Sequence, residues 1–301
     1  MNDAVDIRFL LTIREAGSLA GAARKLGVTP SAVTKRLQQI ETKLDVHLLD
    51  RSTRQLRFTE EGELLCSKGA ELLRDFDSLL AELGRRRGQL VGGLKVNAPL
   101  GFGRRYVARI ASAFKDAHPD VDVSLTLSDR PLIEEYDRYD IVVHIGELGP
   151  SNLVRYVIAP NARYVCASPA FLKRYGSPAN PEDLANVPCI ALRQNNEDVT
   201  LWHFSKGRTS RGVRVSSGLS SNDGDVIHQW AREGRGVMLR SEWDVAEELQ
   251  NGSLIRLLPG WKLPDADVIA LVHQRTGMPA RIKAFLQHLQ REFRPRPPWR
   301  P

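Results

Sequence analysis

Apolar residues in the first 58 positions recur at helical spacing, in short runs separated by turn residues. Val5, Phe9, Leu10 and Ile13 fall on one side of a first helix. Ser18 is placed to cap an alanine-rich second helix, LAGAARKL, and Gly27 follows where a left-handed cap is expected. Thr29 caps a third helix and Pro30 takes its first position. In that helix Leu37, Ile40 and Leu44 lie within ~40° of Val33 at 100° per residue, so this side belongs to the core. Ser31, Lys35, Gln38 and Thr42 lie opposite, with Thr34 at the edge. Two short helices across the three-residue turn GVT make a helix-turn-helix, and Ala20, Gly21, Ala22 and Ala23 let them cross closely. Next, Leu48, Leu49, Leu56 and Phe58 flank the turn DRSTRQ, which predicts a short β-hairpin, or wing, around Arg51 to Arg57.

The period then changes twice. Thr59 opens a long helix to about Arg87, with Glu60 and Glu61 at its positive end. Leu65, Leu72 and Leu79 repeat every seven residues, interleaved with Gly69, Phe76 and Leu83. This seam either packs within its own domain or pairs with another chain, and its length favours pairing. After RRRGQLVGG, short apolar runs alternate with helical patterns from Leu94 onwards: LKVNAP, VDVSLTLS, DIVVHIG, ARYVCAS, PCIAL, VTLWHF, GVRVSS, GVMLRS, LIRLLP and DVIALVH. That rhythm predicts a parallel α/β sheet, in one domain or two lobes. A last helix runs from Ala280 to Phe293, and the proline-rich tail RPRPPWRP reads as disordered.

Charge changes the meaning of the N-terminal pattern. The whole chain carries +7 over 301 residues. From Gly17 to Arg57 there are eight basic residues (Arg24, Lys25, Lys35, Arg36, Lys43, Arg51, Arg54, Arg57) against three acids, Glu41, Asp45 and Asp50. The positive field is therefore local to the helix-turn-helix and wing, as a phosphate-tracking surface requires. A helix carrying serine, threonine and lysine near its N-terminus can lie in the major groove of double-stranded DNA and read base edges.

Other classes are disfavoured. There is no Walker loop, no GxGxxG and no HExxH; GLSSN lacks the second glycine of a nucleophile elbow, so an enzyme is not expected. Cys66, Cys166 and Cys189 match no metal knuckle, and neither metal nor cofactor is expected. Sparse, odd-numbered cysteines, an N-terminus without a basic n-region and the lack of a membrane-length apolar run predict a cytoplasmic protein with no membrane association. An exported solute-binding protein would need a signal and no basic helix-turn-helix.

The stretch FLLTIREAGSLAGAARKLGVTPSAVTKRLQQIETKLDVHLLDRSTRQLRFTEEG resembles the LysR-type transcriptional regulators, over about 60 residues without gaps. The remainder agrees in architecture and short motifs. The resemblance implies a winged helix-turn-helix at 1–58 and a dimerising linker helix and hinge at 59–92. It implies an effector-binding domain at 93–301 of two α/β lobes, similar to type 2 periplasmic binding proteins (lobe I about 93–160 and 267–294, lobe II about 161–266). By position it places groove contacts on Pro30, Ser31, Thr34 and Lys35, with Arg54 in the wing. Gln38 sits at the margin of that face, and Arg36 and Arg51 read as phosphate or structural residues. A homodimer through the linker helix, and a homotetramer beyond it, is what the family implies.

Helix starts at strand ends are ready sites for anions. Pro99, Leu100 and Gly101 end the first strand, and Ser220, Ser221 and Asn222 precede a helix in the second lobe. Ser128, His144 and Arg193 follow other strands and can point into the same cleft. Each alone reads equally as a cap or surface residue. As a set they predict a small, anionic effector. The segments APLGFGRR, LTLSDRPL, DIVVHIGELGPSNLV and VCASPAFLKRYGSP are similar to the branch that includes regulators of hydroxy-acid and redox-related operons. That branch often has arginine where this chain has His144, which either titrates near neutrality or is a satisfied structural histidine. Proline-marked breaks near Ala159–Ala162 and Pro264–Asp267 are the expected hinge.

Overall fold

The computed structural model describes residues 3–50, 56–85, 90–129, 138–148, 153–193, 199–273 and 278–300. The chain divides into two compact units, Met1–Arg87 and Gly88–Pro301.

The smaller unit opens with α1 (Asp3–Ala16), α2 (Leu19–Leu26) and α3 (Pro30–Leu44). Local chemistry sets each boundary. Ser18 accepts a hydrogen bond from Gly21 N at 3.0 Å, and Gly27 ends α2 at φ 65°. Thr29 accepts from Ala32 N at 3.3 Å with Pro30 behind it, and Asp45 ends α3 in the left-handed region at φ 55°. Such caps contribute about 1 kcal/mol each. Phe9, Leu10, Ile13, Val33, Leu37, Ile40, Leu48 and Leu49 make one core. Leu44 departs from the expected pattern: it is 43% exposed, and Glu41 is buried instead. The Glu41 carboxylate turns inward to accept from Leu48 N at 2.8 Å and Leu49 N at 3.4 Å, tying α3 to the wing strand. The wing is β1 (Leu49–Asp50) paired antiparallel with β2 (Arg57–Phe58). Its tip, with Arg51 and Arg54, lies outside the described residues.

The long helix α4 (Glu60–Arg85) has two faces. Cys66, Gly69, Ala70 and Leu73 are buried. A Cβ on Gly69 would lie 2.6 Å from Ile7 Cγ2, so Gly69 belongs to the contact with α1 and not to the heptad seam. Leu72, Phe76 and Leu79 are 49–63% exposed, an apolar stripe with nothing over it in the single chain.

In the larger unit β3 (Gly92–Pro99), β4 (Val121–Ser128), β5 (Ile141–Ile145), β6 (Leu153–Ala159) and β14 (Val268–His273) form a five-stranded sheet in the order β4-β3-β5-β14-β6. A second sheet has the order β11-β8-β12-β7-β13, from β7 (Arg163–Ala167), β8 (Cys189–Leu192), β11 (Ser217–Ser221), β12 (Val237–Ser241) and β13 (Ile255–Leu257). Both sheets contain the expected parallel pairs, β3 with β4 and β5, and β8 with β11 and β12, but each is mixed. β14 runs antiparallel to β5 and β6, and β7 runs antiparallel to β12 and β13. β7 and β14 are the strands on which the chain arrives from the other sheet. No βαβ crossover within one sheet dictates their direction. β9 (Leu201–Lys206) and β10 (Thr209–Arg214) make a separate hairpin.

Helices cover the sheets: a continuous run of α5 (Leu100–Phe102), a π-helical turn (Gly103–Val107) and α6 (Ala108–Ala117), then α7 (Pro169–Tyr175), α8 (Gly224–Arg232), α9 (Glu242–Gln250) and α10 (Ala280–Glu292). The three cysteines are buried and free, and burial pushes the thiols up, Cys66 to about 11 and Cys166 and Cys189 to about 12. The tail is not disordered. Trp299 is 4% exposed inside the core of the first sheet, where an aromatic cluster recovers more than a solvated tail could.

Candidate DNA interface and effector cavity

On α3, Pro30, Ser31, Thr34, Lys35 and Gln38 are all exposed. The Ser31 hydroxyl lies 3.0 Å from Thr29 Oγ1, and Thr34 Oγ1 donates to Pro30 O at 3.1 Å. Both hydroxyls keep acceptor capacity on a helix whose other side is locked into the core. Arg36 is set apart. Its guanidinium pairs with Asp6 at 3.3 Å and lies over the Phe9 ring at 4.7 Å, and Lys43 also reaches Asp6 at 3.6 Å. Those two cations fasten α3 to α1, while Lys35 stands on the open face.

The larger unit contains a cavity of about 200 Å³ where the ends of the two sheets face each other. Of the residues singled out from sequence, Pro99, Leu100, Gly101, His144 and Asn222 line it. Ser128, Arg193, Ser220 and Ser221 do not. Arg193 and Ser220 are exposed. Ser221 Oγ accepts from Asp223 N at 3.1 Å, a turn contact. Asn222 donates to Asp129 Oδ2 at 2.7 Å and so links the two sheets' loops across the cavity mouth. The start of α8 is already occupied: Asp223 accepts from Asp225 N at 2.8 Å, and Arg104 pairs with Asp225 at 2.6 Å. An incoming anion would meet those carboxylates first, so the helix-start rule serves poorly here.

Sequence reading missed Arg163, Trp202, His203, Arg240 and Trp243, which also line the cavity. Each arginine sits against a glycine. A Cβ on Gly146 (φ +107°) would come within 2.8 Å of Arg163, and one on Gly224 within 2.3 Å of Arg240. Arg240 and Trp243 stand at the end of β12 and the start of α9, so the strand-end rule applied to GVMLRS would have found them.

Arg240 belongs to a buried charge network. Its Nε donates to Asp244 Oδ2 at 2.6 Å. His228 Nε2 makes an ion-pair contact with the same oxygen at 3.1 Å, too poorly aligned for a hydrogen bond, and its Nδ1 lies 2.9 Å from Glu248. Burial alone would lower the His228 pKa, but the two carboxylates override it and push it up to about 9. Asp244 likewise carries a burial penalty, and Arg240 and His228 hold it well below the usual carboxylate range. His144 is the opposite case. Burial, with Arg163 and Arg155 nearby, lowers its pKa, and its Nε2 lies 3.0 Å from Glu147 O. It faces the cavity neutral at pH 7.

Comparisons with known proteins agree with this division. Residues 5–63 match the model for the bacterial regulatory helix-turn-helix protein, lysR family, and residues 87–294 match the LysR substrate binding domain. The transcriptional regulator DmlR of Escherichia coli K12 is 34% identical over 96% of this chain and 94% of its own. The transcriptional activator TtdR of E. coli UTI89 is 33% identical over 85% of this chain and 83% of its own. Full-length AphB, a virulence activator of Vibrio cholerae, shares the fold with a TM-score of 0.63 at 22% identity, over 94% of this chain and 97% of that one. An exposed polar helix face over a locked core, beside a unit built around a small cavity, is what such a protein needs: the chain belongs to the LysR family of DNA-binding transcriptional regulators, non-enzymatic proteins that join a helix-turn-helix to a small-molecule-binding domain and act as oligomers.

Proposed function

We propose that this regulator reads operator DNA through the open face of α3, with Pro30, Ser31, Thr34 and Lys35 at base edges or groove walls and Gln38 at the margin. Arg54 and Arg51 in the wing complete the interface with groove and phosphate contacts. Arg36 acts through Asp6 to hold the helix, not by reading bases. The exposed stripe Leu72, Phe76 and Leu79 pairs with a second copy, and two such pairs assemble as a homotetramer. The chain works in the cytoplasm; no described helix is long and apolar enough to cross a membrane.

The cavity takes a small anionic effector. One observation supports this: Arg163, Asn222, His144 and His203 bring polar groups to one cavity whose lining holds a single carboxylate, Asp129, engaged by Asn222, while the charge of Arg240 is met by Asp244. Trp202, Trp243 and Leu100 supply apolar walls for the rest of a small molecule. An effector that prefers one arrangement of the two sheets shifts the population toward it and, through that, the placement of the DNA-binding units.

Two measurements test these readings. Genome-wide mapping of bound DNA gives the operator, and Lys35→Ala should then weaken binding to it by about 1–3 kcal/mol with folding intact. Wild-type affinity in that variant would mean the reading face is elsewhere. A thermal-shift series with acetate, succinate and citrate against putrescine and glucose tests the effector class. A carboxylate should raise the melting temperature, by the equivalent of about 2.7 kcal/mol at a hundredfold excess over Kd, and Arg163→Ala should abolish the rise. Stabilisation by putrescine or glucose alone would reject an anionic effector.

A further inference from the structure

The last residues of the chain come back to the cavity from behind. Beyond α10, Trp299 inserts beside Tyr106 (ring centroids 5.4 Å), Phe293 (5.5 Å) and Phe102 (6.2 Å). Trp243 enters the same cluster from α9, on the second sheet's side, at 5.3 Å from Phe102 and 6.1 Å from Tyr106. Phe102 and Trp243 are cavity walls. Their fit is tight: a Cβ on Gly101 would lie 3.1 Å from the Trp243 ring. The aromatic cluster therefore spans both halves of the unit, and the tail supplies one of its members.

The next residue reaches the hinge. Arg300 Nε donates to Glu242 Oε1 at 3.0 Å and Oε2 at 2.9 Å. Glu242 Oε2 also accepts from Ala162 N at 3.2 Å, and Glu242 N donates to Ala162 O at 2.8 Å. Asn161 accepts from Trp243 N at 3.2 Å and donates to Ala266 O at 2.8 Å. So both segments that join the two sheets, at 161–162 and at 266, are tied to the first turn of α9, and Arg300 clamps that turn. A bidentate guanidinium–carboxylate pair fixes geometry as well as charge.

We propose that Trp299 and Arg300 are positioning residues of the effector site: they hold Phe102 and Trp243 at the cavity wall and set how readily the hinge opens. The cavity's role rests on the effector reading above. The strap itself does not, and it can be tested without a ligand. Arg300→Gln, Arg300→Lys and Trp299→Leu are made in the full-length protein, and hydrogen exchange is followed segment by segment. In Arg300→Gln and Trp299→Leu, amides at 161–162, 242–245 and 266–267 should exchange about tenfold faster, while β3 and α3 keep wild-type rates. Arg300→Lys should fall between, since lysine restores the charge but not the two-point geometry. With fluorotryptophan in place of all five tryptophans, the Trp243 resonance should move in Arg300→Gln and that of Trp261 should not. Unchanged exchange at the hinge in both Arg300→Gln and Trp299→Leu, or acceleration spread evenly over the whole unit, would overturn the proposal. A failed carboxylate screen would instead count against the cavity's occupant.

Discussion

The two units solve the burial of polar groups in different ways. Among the described residues the winged unit buries one charged side chain, Glu41, and its two contacts to the wing backbone satisfy it. The larger unit buries Asn97, His144, Asn161, Ser168, His228, Arg240, Glu242, Asp244 and Arg281. Most of them gather near the cavity and the hinge: His144 and Arg240 line the cavity, Asp244 and His228 extend the Arg240 network, and Glu242 and Asn161 tie the hinge, while Ser168 caps α7 and Arg281 donates to Gly93 O. An apolar core stapled by caps holds a helix face rigidly, which suits reading a groove of fixed shape. Buried charge is sensitive to whatever ion comes near it, which suits the effector-responsive unit proposed above. Intrinsic probes separate the two. All the tryptophans and tyrosines lie between residues 106 and 299, so their emission follows the larger unit alone.

The largest effect expected from this contrast is at Asp244. Asp244→Ala leaves Arg240 and His228 buried without their shared carboxylate. Breaking such a network costs about 3–5 kcal/mol, and the tryptophan-detected urea midpoint should fall accordingly. The winged unit, followed by helix circular dichroism after the fluorescence transition is subtracted, should unfold as in wild type. A loss below 1 kcal/mol would show that the network contributes little and that the contrast is one of composition only.

A smaller, pH-dependent effect belongs to His228. Its folded pKa, about 9, lies above its ordinary value, so the protonated ring stabilises the fold. That contribution is complete below about pH 6.5 and disappears as pH rises through about 9. The groups that face it are Asp244, Glu248 and Arg240, with Arg232 paired to Glu248 at 3.7 Å. Between pH 7 and 10 the wild-type urea midpoint should therefore drop further than that of His228→Gln. Parallel pH profiles in the two proteins would place the titration elsewhere.

How much of this was legible in the sequence follows the range of the interactions. Ser18, Gly27, Thr29 and Pro30 act within four residues, and the helices they bound appear where the pattern put them. The cavity is assembled from positions 99 to 264, and no local pattern says which strand ends converge. Hence Ser220 and Arg193, plausible by the same rule as Gly101, point elsewhere, while Arg163 was passed over at the start of an ordinary strand. The tail shows the same limit. Proline-rich composition describes its local preference, but Trp299 meets partners at 102, 106 and 293 that composition cannot see.

The smallest predicted effect tests where even local pattern stops being sufficient. Leu44 completes the apolar spacing of Val33, Leu37 and Ile40, and by period alone it is a core residue. Yet the last turn of α3 rotates past the edge of the core, the left-handed Asp45 ends the helix there, and Leu44 is 43% exposed. Leu37, two helical turns earlier, is 4% exposed. The two leucines should differ sharply on truncation. Leu37→Ala should cost about 2–5 kcal/mol in the circular dichroism transition of the winged unit. Leu44→Ala should stay within about 0.5 kcal/mol of wild type, since it gives up little buried surface and alanine favours the helix. Equal losses at both positions would mean that something covers Leu44 in solution, and the second copy proposed to pair through α4 is the partner to look for.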